Sequence, residues 1–128
     1  MMANKEIIII DNFLHPEILM LVELYLDKDK VNIVKFLTRK KNNRNFNSFV
    51  SDLEKFRKQY SNFQIEARHN DKFHDRYIII DGNIVYHSGH SFYDLGKKGS
   101  GISRMENEGE ICKFLDDFNS LWDTGETI

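Results

Sequence analysis

The chain has 128 residues, 41% of them hydrophobic with ten Phe and five Tyr, which is material for one packed core and excludes both a second core and a disordered tail. Eighteen basic residues against 20 acidic ones exclude an overall polycation, so any binding of an anionic polymer must rest on a local patch. No stretch approaches about 18 consecutive apolar residues, and no basic start precedes a cleavable apolar core, so neither a membrane span nor a signal peptide is expected.

Lys5 to Asp11 (KEIIIID) is short, β-branched and apolar on both parities, the reading of a strand buried on both faces. A strand that opens so early also fits a module cut from a longer protein. Pro16 sits at a first-turn position, and Ile18, Leu19, Val22 and Leu26 recur at helical spacing. Val31 to Thr38 reads as a second strand, and the turn after it carries Asn42, Asn43 and Asn45. The most basic stretch spans Lys35 to Arg44 with Arg39, Lys40 and Lys41 between; a solvated loop is the ordinary reading of such a run, and a phosphate track the alternative. Lys97, Lys98 and Arg104 form a looser second group.

Phe46, Phe49, Val50, Leu53, Phe56 and Tyr60 keep helical spacing and predict an amphipathic crossover helix whose aromatics belong to the core. Asn62 to Arg68 and Phe73 to Ile80 read as strands three and four, joined by a polar segment from His69 to Lys72. Asp81-Gly82-Asn83 signals a hairpin, with Ile84 to His87 returning. Ile102 to Met105 reads as a short strand, and Ile111, Phe114, Leu115, Phe118, Leu121 and Trp122 as a closing helix. The lone Cys112 cannot form an internal disulfide and fits a reducing, cytoplasmic setting as a small helix side chain. The expected fold is therefore α/β, a mixed β-sheet flanked by helices, in one domain over 1–128 with its ordered core at about 5–122.

The segment that carries chemistry is His74-Asp75-Arg76-Tyr77-Ile78-Ile79-Ile80-Asp81-Gly82. On an extended strand His74 and Arg76 project to one face about 6 to 7 Å apart. An imidazole beside a guanidinium suits attack on a phosphodiester: the ring nitrogen is nucleophile or base, and the guanidinium offers forked donors to the nonbridging oxygens. Asp81 falls on the other parity and reads as support, holding its turn through bonds to backbone amides.

The spacing His74-x-Arg76-x4-Asp81 resembles the His-x-Lys-x4-Asp signature of the phospholipase D superfamily, and the order of elements is similar over most of the chain. The resemblance implies a metal-free, cofactor-free two-step displacement in which one histidine forms a phosphohistidine and a second protonates the leaving oxygen. One motif and no internal repeat then imply a homodimer, with His74 of each chain facing one phosphate. Ser91 is carried over as a hydroxyl donor to phosphate, from the segment Ser88-Gly89-His90-Ser91. Asp94, with Glu106 as the other candidate, is carried over as the acid that orients the histidine. Arg76 departs from the signature lysine, and the family's Gly-Ser-x-Asn is not reproduced.

The resemblance implies a nuclease-like phosphodiesterase with nucleic acid as substrate; no amphipathic surface helix favours a lipid. A catalytically weak module for nucleic-acid binding or dimerisation is the second reading. A metal site is the third, since His69, Asp71, His74, Asp75, Asp81, His87 and His90 are numerous, yet no His-x3-His or Cys-x2-Cys spacing supports it.

Overall fold

The computed structural model describes residues 5–25, 29–60, 64–73, 75–88 and 102–128. Among them are strands β1 (Glu6–Asp11), β2 (Ile33–Thr38), β3 (Gln64–His69), β4 (Arg76–Ile80), β5 (Ile84–Ser88), β6 (Ile102–Arg104) and β7 (Glu126–Thr127). The helices are α1 (Glu17–Tyr25), α2 (Phe46–Gln59) and α3 (Glu108–Asp123). The strands form one sheet in the order β6-β5-β4-β1-β2-β3-β7. Pairs β1-β2 and β2-β3 are parallel, and the others are antiparallel. The α/β architecture expected from the alternation of strands and helices is present.

The apolar run of β1 places it centrally, between β2 and β4, with Ile7, Ile8, Ile9 and Ile10 all buried. Odd positions Ile7 and Ile9 join Val34, Phe36, Ile80 and the inner faces of α1 and α2 in one core. Even positions Ile8 and Ile10 join Leu37, Ile79, Val85 and the Phe118 and Trp122 side of α3 in a second. The sheet is thus covered on both faces. In α2 the predicted stripe buries Phe49, Leu53 and Phe56, while Phe46 and Tyr60 are half-buried.

The Asp-Gly turn is a hairpin of the mirror-image type. Asp81 (φ 53°) and Gly82 (φ 76°) are both left-handed, and Asn83 N–H donates to the carbonyl of Ile80 at 3.2 Å. Helix α3 docks through its C-terminal end. Asn70 Nδ2 donates to the Leu121 carbonyl at 2.9 Å, and Arg68 Nη1 donates at 2.6 Å to the Trp122 carbonyl, which also accepts the Gly125 amide at 3.2 Å, so two side chains bind carbonyls of the last helical turn. A Cβ at Gly125 would stand 3.1 Å from the carbonyls of both His69 and Leu121, so any larger residue would press on this corner.

Several boundaries differ from the sequence reading. Strand β4 starts at Arg76 rather than Phe73, although Phe73 is buried against the α3 side of the sheet. His69 belongs to β3 and not to the following turn, because Asn70 N–H bonds back to Thr38 and holds the strand to its end. Helix α3 begins at Glu108, where Asn107 Oδ1 caps the amide of Glu110. Strand β7 was not anticipated; two exposed residues have no periodicity to read. Leu26 lies outside the described residues.

Phe36 is fully buried and meets Phe49 edge-on with ring centroids 5.5 Å apart, joining sheet to crossover helix. Phe36→Ala is expected to cost about 3 to 5 kcal/mol, read as a lower urea midpoint. A loss below about 1 kcal/mol would mean that the sheet and α2 repack around the cavity.

Candidate nucleic-acid site at the carboxyl edge of the sheet

The buried polar residues Asp11, Asn12, Thr38, Asn70 and Ser88 all stand at or just beyond one end of the sheet. That end is where the parallel strands β1, β2 and β3 finish, the edge at which open α/β sheets place ligands. Pairing aligns Ser88 with Arg76, Arg76 with Asp11, and Thr38 with His69. Asp11 and Thr38 each follow Ile10 and Leu37, the last pair between β1 and β2. Side chains of paired residues share a face, so Ser88, Arg76, Asp11, Thr38 and His69 form one polar row on the side covered by α1 and α2.

Arg76 is the cation of this row. Its Nε lies 3.6 Å from Asp11 Oδ1; the Arg76 side chain is 20% exposed and that of Asp11 1%. The same oxygen accepts the Phe13 amide at 2.9 Å, which turns the chain as it leaves β1. The carboxylate thus fixes the guanidinium at the sheet edge. Asn12 follows, and its Oδ1 is buried without a hydrogen-bond donor among the described residues. Thr38 Oγ1 accepts from the Leu14 amide at 3.2 Å, tying the exit of β1 to the end of β2. At the far side His69 Nε2 stands 3.4 Å from Glu126 Oε2 of β7, with its ring against Phe46.

The residues singled out from sequence are distributed unevenly. Arg76 is at this edge. Asp81 is not: five residues along β4 it stands about 16 Å away, at the opposite end of the sheet. Its Oδ1 accepts the amides of Lys5 at 2.9 Å and Glu6 at 3.2 Å, reaching across to the start of β1. His74, Ser91 and Asp94 lie outside the described residues, as do His90, Lys97 and Lys98. Glu106 follows β6 as that strand runs away from the row, and it lines a cavity with Asn83 and Arg104 by the hairpin, too far to orient a group at Arg76. Asp11, Asn12 and Thr38 were missed. For Asp11 and Asn12 the signal was available: polar residues that directly follow the apolar run Ile7 to Ile10 lie where that strand ends.

Lys35 leaves the basic stretch. It points to the α3 face, 3.4 Å from Glu6 and 3.9 Å from Glu66, with Nζ 5.4 Å from the Trp122 ring centroid. Arg39, Lys40, Lys41 and Arg44 remain together in the β2–α2 loop, at the same end of the sheet as Arg76. Asp71 Oδ1 accepts the amides of Lys40 and Lys41, both at 3.0 Å. The bond from Lys41 is the largest influence on the Asp71 carboxyl; burial, the second, opposes it, and the bond from Lys40 with the charges of Arg39 and His69 brings the net shift below the ordinary range. A depressed carboxyl stabilises the fold above its unfolded pKa and loses that contribution as pH falls through the folded value, so the clasp persists at neutral pH.

On the other face Tyr77 Oη donates to Asp75 Oδ2 at 3.4 Å and its ring lies 4.9 Å from His87. Burial, followed by the Asp75 charge and hydrogen bond, pushes the phenol up. Among the described residues no three His, Cys, Asp or Glu side chains gather as a metal-ligand group. No described helix is long and apolar enough to cross a membrane.

No protein-family model matches the chain, and no curated protein matches it by sequence. Solved structures share the fold, two of them as follows. One is TrmBL2, an archaeal chromatin protein described as showing a novel mode of DNA binding, at 20% identity and a TM-score of 0.62 over 99% of this chain. The chain spans 46% of that protein. The other is NucT from Helicobacter pylori, at 14% identity and a TM-score of 0.65, with 98% of this chain and 84% of that one covered. At these identities the likeness is one of fold.

Asp81→Ala is expected to lower stability by about 1.5 to 3 kcal/mol, the worth of hydrogen bonds to a charged group. Urea unfolding reads the loss. Unchanged stability would mean that water replaces the carboxylate at the start of β1.

Proposed function

We propose that the chain is a metal-independent phosphodiesterase acting on nucleic acid, with His74 as nucleophile. The observation that carries this reading is the Arg76 guanidinium, held by buried Asp11 at the carboxyl edge of the sheet, two residues after His74 in the chain. A rigid fork of donors is suited to the nonbridging oxygens of a phosphodiester. The row of buried polar groups supports a ligand-binding edge, and a DNA-binding protein of this fold supports nucleic acid as the ligand class.

In the proposed reaction a His74 nitrogen attacks phosphorus, and the P–O bond to the leaving group breaks. The imidazolium of a second His74, from a dimer partner, protonates the departing oxygen. Water deprotonated by that same imidazole then attacks the phosphohistidine, breaking the P–N bond and restoring both rings. Arg76 neutralises charge on the phosphoryl oxygens, Ser91 adds a hydroxyl donor, Asp94 orients the histidine, and Asp81 fixes the strand from its far end. The single cysteine supports a cytoplasmic setting.

One observation favours a second reading, a catalytically weak module that binds nucleic acid. The Arg76 charge is partly neutralised by Asp11, and a guanidinium held in this way reaches phosphate differently from the compact ammonium of the signature lysine.

Cleavage of bis(p-nitrophenyl) phosphate and of single- and double-stranded DNA in EDTA tests the proposal. The expected outcome is hydrolysis by the native chain, a loss on the order of a hundredfold or more in His74→Ala, as for a missing catalytic group, and a dimer in sedimentation. Activity retained in His74→Ala moves the chemistry elsewhere, activity lost in EDTA favours a metal, and a strict monomer removes the second histidine. Arg76→Lys that gains rate would mark the guanidinium as a defect; a loss would mark it as an adaptation.

A further inference from the structure

We propose that the β2–α2 loop, residues 39–45, is a docking site for the phosphate backbone of a nucleic-acid strand that leads to the Arg76 edge. The inference rests on the phosphodiester reading for the direction of the strand, but the docking site itself is argued from the loop. From Arg39 to Ser51 the sequence holds four cations and no acidic residue. Lys40, Asn42, Asn43 and Arg44 line an open cavity of ≈ 510 Å³, so its wall consists of two cations and two amides. Such a wall offers an anion the positive charge of Lys40 and Arg44 and the Asn42 amide, and it has no carboxylate to repel it.

Folding determines the loop's shape. Asn43 Nδ2 donates to the Arg39 carbonyl at 2.6 Å and to Thr38 Oγ1 at 3.4 Å, and Asn43 Oδ1 accepts the Asn45 amide at 3.0 Å. Asn42 takes a left-handed conformation (φ 58°), which asparagine tolerates better than most residues. Asp71 clasps the loop from outside through the amides of Lys40 and Lys41. Those two backbone donors are thereby occupied and Asn43 braces the loop, so the Lys40, Lys41 and Arg44 side chains are the groups to meet a ligand. Cation heads also rest over half-buried rings, Arg39 at 6.0 Å from Phe13 and Lys40 at 5.8 Å from Phe46. Lys41 and Arg44 are exposed.

Position completes the case. Thr38 is the member of the polar row from which the loop departs, and Arg76 lies two strands away, about 10 Å by strand spacing. A single extended strand laid across the carboxyl edge touches both. The recognition is of charge and spacing, so it reads the backbone and not the bases.

The test is binding of a labelled single-stranded oligodeoxynucleotide in the His74→Ala background, titrated between about 50 and 200 mM salt. Lys41→Ala/Arg44→Ala is expected to weaken binding roughly tenfold at the lower salt and to reduce the slope of log K against log salt by about 1.4, or about 0.7 for each phosphate no longer neutralised. Asp71→Ala discriminates further. On charge alone, removing a carboxylate beside a polyanion tightens binding; loss of the clasp weakens it, and weakening is expected. An unchanged slope in the double variant, tighter binding by Asp71→Ala, or binding to phosphatidylserine vesicles in place of the oligonucleotide would overturn the proposal. Because this assay needs no turnover, a silent phosphodiesterase with an intact salt slope leaves the docking site standing, and an active one with no change in slope removes the docking site alone.

Discussion

The register of β1 between β2 and β4 governs the rest of the molecule. Its isoleucines are buried on both faces of the sheet, and a slip of one residue would exchange Ile7 and Ile9 with Ile8 and Ile10 against two differently shaped cores. That same register sets Asp11 opposite Arg76. A slip would separate Arg76 from a carboxylate that is 1% exposed, and a buried charge that loses its partner costs several kcal/mol. Apolar packing along the strand and charge pairing at its end therefore select the same alignment.

From that alignment follows a division between the two ends of the sheet. At the hairpin end the polar groups are structural: Asp81 accepts the first amides of β1, and the mirror-image turn returns β4 into β5. Buried polar side chains collect at the carboxyl end, where strands stop and loops begin. Burial there is expensive unless hydrogen bonds offset it, and Thr38, Asn70 and Asp11 each hold loop amides in return. The groups that shape the loops are thus neighbours of the groups able to meet a ligand, so the edge is braced where a ligand would need it to be.

Charge is partitioned as well. Lys35 is taken by Glu6, Glu66 and the Trp122 ring on the α3 face, whereas Arg39, Lys40, Lys41 and Arg44 are gathered in a loop braced by Asn43 and Asp71. A chain of near-neutral net charge can in this way present a strongly positive surface at one end of its sheet.

Much of this was legible in the sequence. The doubly apolar run at Ile7 to Ile10 predicts a central strand, the aromatic spacing from Phe46 to Phe56 a crossover helix, and Asp81-Gly82 a hairpin, because each depends on residues close together along the chain. Arg76 was also singled out, from its spacing to His74 and Asp81. What tertiary structure alone decided was adjacency: that Asp11 faces Arg76, that Asp81 reaches Lys5 and Glu6, that Asp71 clasps Lys40 and Lys41, and that β7 adds to β3. These partners stand between 30 and 76 residues apart. Periodicity specifies the face a side chain takes, but not which strand will lie beside it; that choice falls to the burial of two cores at once, a property of the whole folded chain and not of any segment.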